Sequence, residues 1–155
     1  MNIRPANLSD IPTLAILYRQ TVITNAPAYY TPAQTEVWAS FASDTDHFRE
    51  FILGVATFVA VSDADILGFA GIGDDGHVSS TYVRHDCLHQ GIGSRLMQAV
   101  LDYATQHRIR RLYAEASDFS LGLFKKFGFQ HDATEVVERN GVKFERYLVA
   151  RQMNM

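Results

Sequence analysis

The run Tyr82-Val83-Arg84-His85-Asp86-Cys87-Leu88-His89-Gln90-Gly91-Ile92-Gly93-Ser94-Arg95-Leu96 carries the clearest chemistry in this chain. A short apolar strand ends at Val83 and a polar turn follows. Two glycines then stand at alternate positions, and an apolar-periodic helix begins at once. Such a junction presents backbone N–H groups with no side chain in the way. The positive end of the helix dipole points at the same spot, so the chemistry it suits is the binding of an anionic phosphate. As a dinucleotide fingerprint the segment fails: no third glycine follows at the required place and the later acidic residue is missing. It also fails as a P-loop, because no Gly-Lys-Ser/Thr follows. The competing reading of Gly91-Ile92-Gly93 is a helix start that uses small residues for close packing. His85, Cys87 and His89 are ligand-type residues without a second cluster, so they are expected to be solvent-exposed turn residues and no metal is expected. Cys87 has no paired base, which argues against a nucleophilic role.

The elements that must position this turn are legible from periodicity. Asn2 to Arg4 reads as a strand stopped near Pro5. Ser9 or Asp10 can cap a helix with Pro12 in its first turn, continued by Ile11, Leu14, Ala15, Tyr18 and Val22. Thr31-Pro32-Ala33-Gln34 opens a second helix with a hydroxyl cap, a proline in first position and a glutamine three residues after the cap. Asp44 to Leu53 is a third helical piece ending at Gly54. The period then changes to two. Ala56–Val61, Ile66–Ile72 and His77–Val83 are strands, the first two joined as a hairpin. Gly91 to about His107 is the clearest helix, with Ile92, Leu96, Val100, Tyr103 and Ala104 on one stripe. Arg111–Ala116 is a strand and Phe119–Phe127 a short helix. Phe129–Glu138 and Val142–Val149 close the chain as a hairpin around Asn140-Gly141. This order predicts an α/β fold: a mixed sheet of about seven strands with helices on both faces, in one domain over residues 1–155.

Composition bounds the partners. A net charge of -3 gives no general attraction to nucleic acid or acidic membranes, so phosphate recognition must be local. The basic Arg108, Arg110 and Arg111 read as a solvated helix end rather than a nucleic-acid patch. One cysteine permits no internal disulfide and fits a reducing compartment. The start, Met1-Asn2-Ile3-Arg4-Pro5, lacks a signal-peptide core, and no apolar stretch approaches a membrane span, so a cytoplasmic protein is expected.

A second motif narrows the phosphate. Leu112-Tyr113-Ala114-Glu115-Ala116-Ser117 is followed by Phe124-Lys125-Lys126-Phe127-Gly128-Phe129. With Leu88-His89-Gln90-Gly91-Ile92-Gly93 upstream, the order and spacing of these pieces resemble the GNAT superfamily of acetyl-CoA-dependent N-acetyltransferases. In that family an Arg/Gln-x-x-Gly-x-Gly/Ala turn holds the CoA pyrophosphate and a later helix ends in Tyr-Glu-Lys-x-Gly-Phe. The resemblance covers nearly the whole chain. It implies a cofactor site at Tyr82, Val83, Leu88, His89, Gln90, Gly91, Ile92, Gly93, Ser94, Ser117 and Phe124, and acetyl-CoA as donor. Three departures stand out. Leu88 replaces the usual arginine or glutamine, and Ser117 replaces a frequent asparagine. Phe124 stands where many members carry a tyrosine that protonates the departing thiolate, and phenylalanine has no proton to give.

The resemblance further implies that the Val83 N–H polarises the thioester carbonyl and that the pantetheine arm pairs with the strand edge at Tyr82–Arg84. A general base must take the ammonium proton. His77 is the first candidate: it lies six residues before Val83, so alternation puts both on one face, and histidine titrates near neutral pH. The alternative for His77 is a solvated residue after the Gly76 turn. Glu115 is the second candidate, with an ordinary exposed carboxylate as its alternative. Tyr29 and Tyr30, in the loop before the second helix, are expected to line the acceptor pocket ahead of Trp38. The expected activity is acetyl transfer to a primary amine of a small molecule. Protein or peptide N-acetylation and a catalytically silent CoA-binding module are the alternatives, and related folds suggest a homodimer.

Overall fold

In the computed structural model, which describes residues 1–154, seven strands form two antiparallel sheets. The first has the order β1-β2-β3-β4, with β1 Asn2–Pro5, β2 Ala56–Ser62, β3 Asp65–Ile72 and β4 Val78–Val83. The second has the order β5-β7-β6, with β5 Arg111–Ala116, β6 Gln130–Arg139 and β7 Val142–Gln152. The sheets touch through one parallel bridge, His77 to Tyr113, which supplies the mixed character expected from the sequence. Beyond it β4 and β5 run apart.

Strand alternation explains the two cores. Val59 and Phe69 point to one face, where they bury against α1 (Ile11–Asn25) and α3 (Thr45–Leu53) through Leu14, Leu17, Tyr18, Phe48 and Ile52. Ala60, Ala70 and Ile72 point to the other face, against Leu96, Met97 and Val100 of α4 (Ile92–Gln106). Helices therefore cover both faces. The remaining helices are α2 (Pro32–Ser40) and α5 (Leu121–Lys126). The capping box of α2 forms as the sequence predicts: Thr31 Oγ1 accepts from the Gln34 N–H at 3.1 Å, and Gln34 Oε1 accepts from the Thr31 N–H at 2.8 Å. The closing hairpin turns at Asn140 (φ 50°) and Gly141 (φ 78°), the paired positive values a tight two-residue turn requires. No helix among the described residues is long and apolar enough to cross a membrane.

Two expectations change. Strand β4 begins at Val78 rather than His77, and it carries a bulge: Gly71 faces Ser80 while Ile72 faces Val78, leaving Ser79 without a partner. The extra residue breaks the alternation. Val78 and Val83 both pack on the α4 side although five residues separate them. His77, the neighbour of Val78, thus does not share a face with Val83, contrary to simple counting. The turn cysteine also moves: Cys87 is 8% exposed and belongs to the α4-side core, not to the solvated turn surface. No group of three His, Cys, Asp or Glu residues placed to hold a metal occurs among the described residues.

Candidate active site

The divergence of β4 and β5 leaves a cleft of about 1890 Å³ with walls from both sheets. Its first feature is the glycine turn. Gly91 takes φ 80°, ψ 5° as the N-cap of α4, a left-handed conformation that costs a residue with a Cβ about 1–2 kcal/mol. The position its Cβ would occupy has no atom within 4 Å, so the approach to the turn is open. Arg95 N–H is the first amide of the helix to reach back, to Gly91 O at 3.1 Å, which leaves the Ile92, Gly93 and Ser94 amides at the helix start to point outward. Gly93 has a different reason to be small: a Cβ there would lie 3.3 Å from Leu123 Cδ2, so it lets α5 pack close. Lys126, in the last turn of α5, donates to Ser94 Oγ at 2.8 Å and brings a cation to the same spot. Sequence reasoning did not place Lys126 in the site, although it stands inside the quoted Phe124–Phe129 motif. Leu88, His89 and Gln90 are exposed around the turn, and His89 also has positive φ at 60°. The site's amides, open approach and cation fit a pyrophosphate.

The second feature is the open edge of β4. Arg84 N–H donates to Leu67 O at 2.8 Å, which makes that pair hydrogen-bonded in the β3–β4 ladder. Antiparallel ladders alternate, so Val83 and Thr81 occupy non-bonded positions and turn their N–H and C=O groups away from β3. The Val83 carbonyl accepts from Thr21 Oγ1 at 3.3 Å, as an outward-facing group would. The Val83 and Thr81 amides thus lie along the open edge of β4. Tyr82 turns its ring to the opposite core, stacked on Phe69 at 5.2 Å, with its hydroxyl accepting from Trp38 Nε1 at 3.2 Å.

The third feature joins the two base candidates. On β5, Leu112, Ala114 and Ala116 face the α4 core, so Tyr113 and Glu115 face away from it, and Glu115 lines the cleft. His77 Nε2 lies 2.9 Å and 3.0 Å from the Glu115 oxygens, and the ring stacks on Tyr113 at 5.0 Å. Asp75 anchors the arrangement, accepting from the His77 backbone N–H at 3.1 Å and from the Tyr113 hydroxyl at 2.7 Å. The carboxylate hydrogen bond raises the His77 pKa above its ordinary value and outweighs the opposing cost of burial. The same bond lowers the Glu115 pKa. With Nε2 held by the carboxylate, Nδ1 is left as the basic nitrogen of the neutral ring. Arg146 on β7 extends the group: it pairs with Glu135 and brings Nη1 to 4.0 Å from Glu115 Oε1.

A further wall of the cleft is aromatic. Tyr30 lies 5.2 Å from Trp38, 6.2 Å from Phe119 and 6.4 Å from Phe144, ring to ring. Its hydroxyl accepts from the Asp118 N–H at 3.1 Å, and burial is the main cause of a pKa pushed up to about 12. Tyr29 is 62% exposed and touches only the rim, edge-on to Phe119. Trp38 belongs to the wall as fully as Tyr30 does, against the ranking from sequence. Phe119 and Phe144 come from segments remote in the chain and had no local signal. The remaining positions suggested for the cofactor have work inside the fold. Ser117 Oγ accepts from the Phe119 and Ser120 amides, each at 3.2 Å, and so organises the loop into α5. Phe124 is 3% exposed and packs edge-on to Phe129 at 5.0 Å, at the cleft's inner wall.

Comparison with known proteins converges on one family. The family model described as an acetyltransferase (GNAT) domain matches residues 26–150. An L-methionine sulfoximine/L-methionine sulfone acetyltransferase of Pseudomonas aeruginosa PAO1 is 29% identical over 95% of this chain and 89% of its own length. Among solved structures, one from Rhodopseudomonas palustris described as a GCN5-related N-acetyltransferase (aminotransferase, class II) superposes with a TM-score of 0.94 at 24% identity, covering 98% of this chain and 95% of its own. A PaiA N-acetyltransferase from Thermoplasma acidophilum, solved with coenzyme A, superposes with a TM-score of 0.79 at 16% identity, covering 99% and 100%. These two likenesses establish the fold.

Proposed function

The chain belongs to the GNAT acetyltransferase family and is an acyltransferase, and on that premise we propose that it moves an acetyl group from acetyl-CoA directly to a primary amine of a small molecule. The observation that carries this reading is the His77–Glu115 pair, which faces the same cleft as the glycine turn and the open β4 amides. The P. aeruginosa relative, named for small amino-acid-like substrates, supports a small acceptor.

Acetyl-CoA supplies the acetyl group as a thioester. The amides of Ile92, Gly93 and Ser94, with Lys126 beside them, would hold its pyrophosphate. An open β4 amide would donate to the thioester oxygen and stabilise the charge that develops there. Val83 lies about 20 Å of extended strand from His77 and Thr81 about 13 Å, so Thr81 is the better placed of the two to serve an amine held by the pair. Glu115 sits two residues beyond the inter-sheet bridge, on the side toward Thr81. The neutral His77 ring, oriented by Glu115, accepts the proton that the ammonium must lose before its nitrogen bonds to the acetyl carbon. The carbon–sulfur bond breaks as the carbon–nitrogen bond forms. The thiol leaves as thiolate or takes a proton from water, since Phe124 has none to offer.

Thiol release from acetyl-CoA, measured against a panel of amines and peptides, tests the reading. Turnover with small amines is the expected result, and turnover with peptides alone would instead favour protein acetylation. Saturable CoA binding without turnover on any acceptor would favour a silent CoA-binding module.

A further inference from the structure

Arg146 has a guanidinium only partly committed. Its Nε and Nη2 both donate to Glu135 Oε1, its register partner across the hairpin. Its Nη1 stops 4.0 Å from Glu115 Oε1, beyond hydrogen-bond reach, and has no acceptor among the described residues. The side chain is 31% exposed and lines the cleft. A guanidinium carries its donors in a planar fork that suits carboxylate oxygens, so a free Nη1 in a cleft is matched to an anionic oxygen.

Its neighbours say what lies next to that oxygen. With His77 neutral, as a base must be, His77, Glu115, Arg146 and Glu135 sum to one negative charge. The group then attracts an ammonium at Glu115 while Arg146 offers a cation alongside. The two carboxylates, the guanidinium and the imidazole thus present a positive donor and a negative acceptor 4.0 Å apart. An ammonium and a carboxylate joined through one carbon reach both. Phe144, two residues before Arg146 on the same face of β7, continues this surface into the aromatic wall with Tyr30, where the rest of the molecule would lie.

Resting on the acetyltransferase reading above, we infer that Arg146 Nη1 is the carboxylate anchor of the acceptor, and that the acceptor is an α-amino acid or a close analogue with its carboxylate beside its primary amine. Glu135 holds the guanidinium in place from behind, so the anchor is formed before the acceptor arrives.

The test compares L-amino acids, L-methionine sulfone among them, with their carboxamides and with the corresponding amines lacking the carboxylate, by thiol release from acetyl-CoA. The wild type should prefer the carboxylate form by about tenfold to a hundredfold in kcat/KM, the worth of one charge-assisted hydrogen bond. R146Q should collapse that preference, chiefly by raising KM for the carboxylate acceptor, with CoA affinity by calorimetry at the wild-type value. R146K should recover part of it. Equal use of carboxylate and carboxamide by the wild type, or an equal fall for both in R146Q, overturns the anchor while leaving acetyl transfer standing. Absence of thiol release with every amine overturns the transferase reading and the anchor with it.

Discussion

The proposed donor side of the cleft is made of backbone, and the proposed acceptor side is made of side chains that meet from distant segments. At the donor side, the Gly91 turn, the amides that open α4 and the free edge of β4 all follow from a contiguous stretch of chain; only Lys126 joins from elsewhere. At the acceptor side, His77 precedes β4, Glu115 sits in β5, Arg146 in β7 and Tyr30 ahead of α2. The two halves tolerate change differently for that reason. A backbone amide cannot be mutated away, so the donor site is vulnerable chiefly where a side chain would block or strain it. The acceptor site depends on named atoms that a single substitution removes.

The sharpest break of this contrast is Glu115→Gln. It keeps the shape but removes the charge that orients and raises His77, and kcat should fall by about a hundredfold or more, within the range for general-base catalysis. CoA affinity by calorimetry should not move, and a matching loss of CoA binding would mean that the halves are not separate. On the donor side, Gly91→Val should weaken CoA binding by about tenfold to a hundredfold. It places a β-branched residue at φ 80° and brings side-chain atoms into the open approach. The folded protein should also lose about 1–2 kcal/mol in denaturant titration, from the left-handed conformation alone. An unchanged CoA dissociation constant would remove the turn from the site. Lys126→Ala should cost less, about fivefold in CoA affinity, because one exposed cation among several amides is screened by solvent. The difference from wild type should shrink as salt rises.

The smallest expected effect is a displacement on the pH axis. As the proposed base His77 would act only when neutral, and its pKa is raised above the ordinary 6.5 by Glu115, so the acid limb of kcat/KM should lie above pH 6.5 in the wild type. Glu115→Gln should move that limb down. Stability has its own sign. The raised His77 favours the fold fully below pH 6.5 and loses that contribution as pH climbs through its folded value. The lowered Glu115 favours the fold above its ordinary 4.5 and loses that as pH falls through its folded value. The pair should therefore stabilise most between about pH 4.5 and 6.5, and thermal melts of wild type and H77A across that window report it.

Burial patterns explain why some expectations carried and others did not. The stripe on α4 and the alternation in β2 and β3 are amphipathic signals written locally, and they placed both cores. Cys87 went wrong because a polar turn of Arg84, His85 and Asp86 surrounds it, while its burial depends on packing against the α4-side core, which no local pattern shows. His77 went wrong in orientation because one unpaired residue, Ser79, shifts the side-chain phase of β4 by a position. No turn residue marks that bulge in the sequence. Phe119, Phe144 and Arg146 were invisible as site residues for a related reason: each alternates or packs unremarkably within its own segment.

By itself the sequence determined the elements, their order, the glycine turn at the head of α4 and the candidates His77 and Glu115, because hydrophobic period, capping residues and paired glycines are written over a few neighbouring residues. Tertiary structure alone decided that the two sheets meet at a single bridge and then diverge, that His77 turns onto Glu115 instead of toward Val83, and that Arg146 stands beside them with Nη1 free. Those outcomes depend on register between strands far apart in the chain. A one-residue slip there reverses every side chain, and the residues on either side of it carry no record of which register prevails.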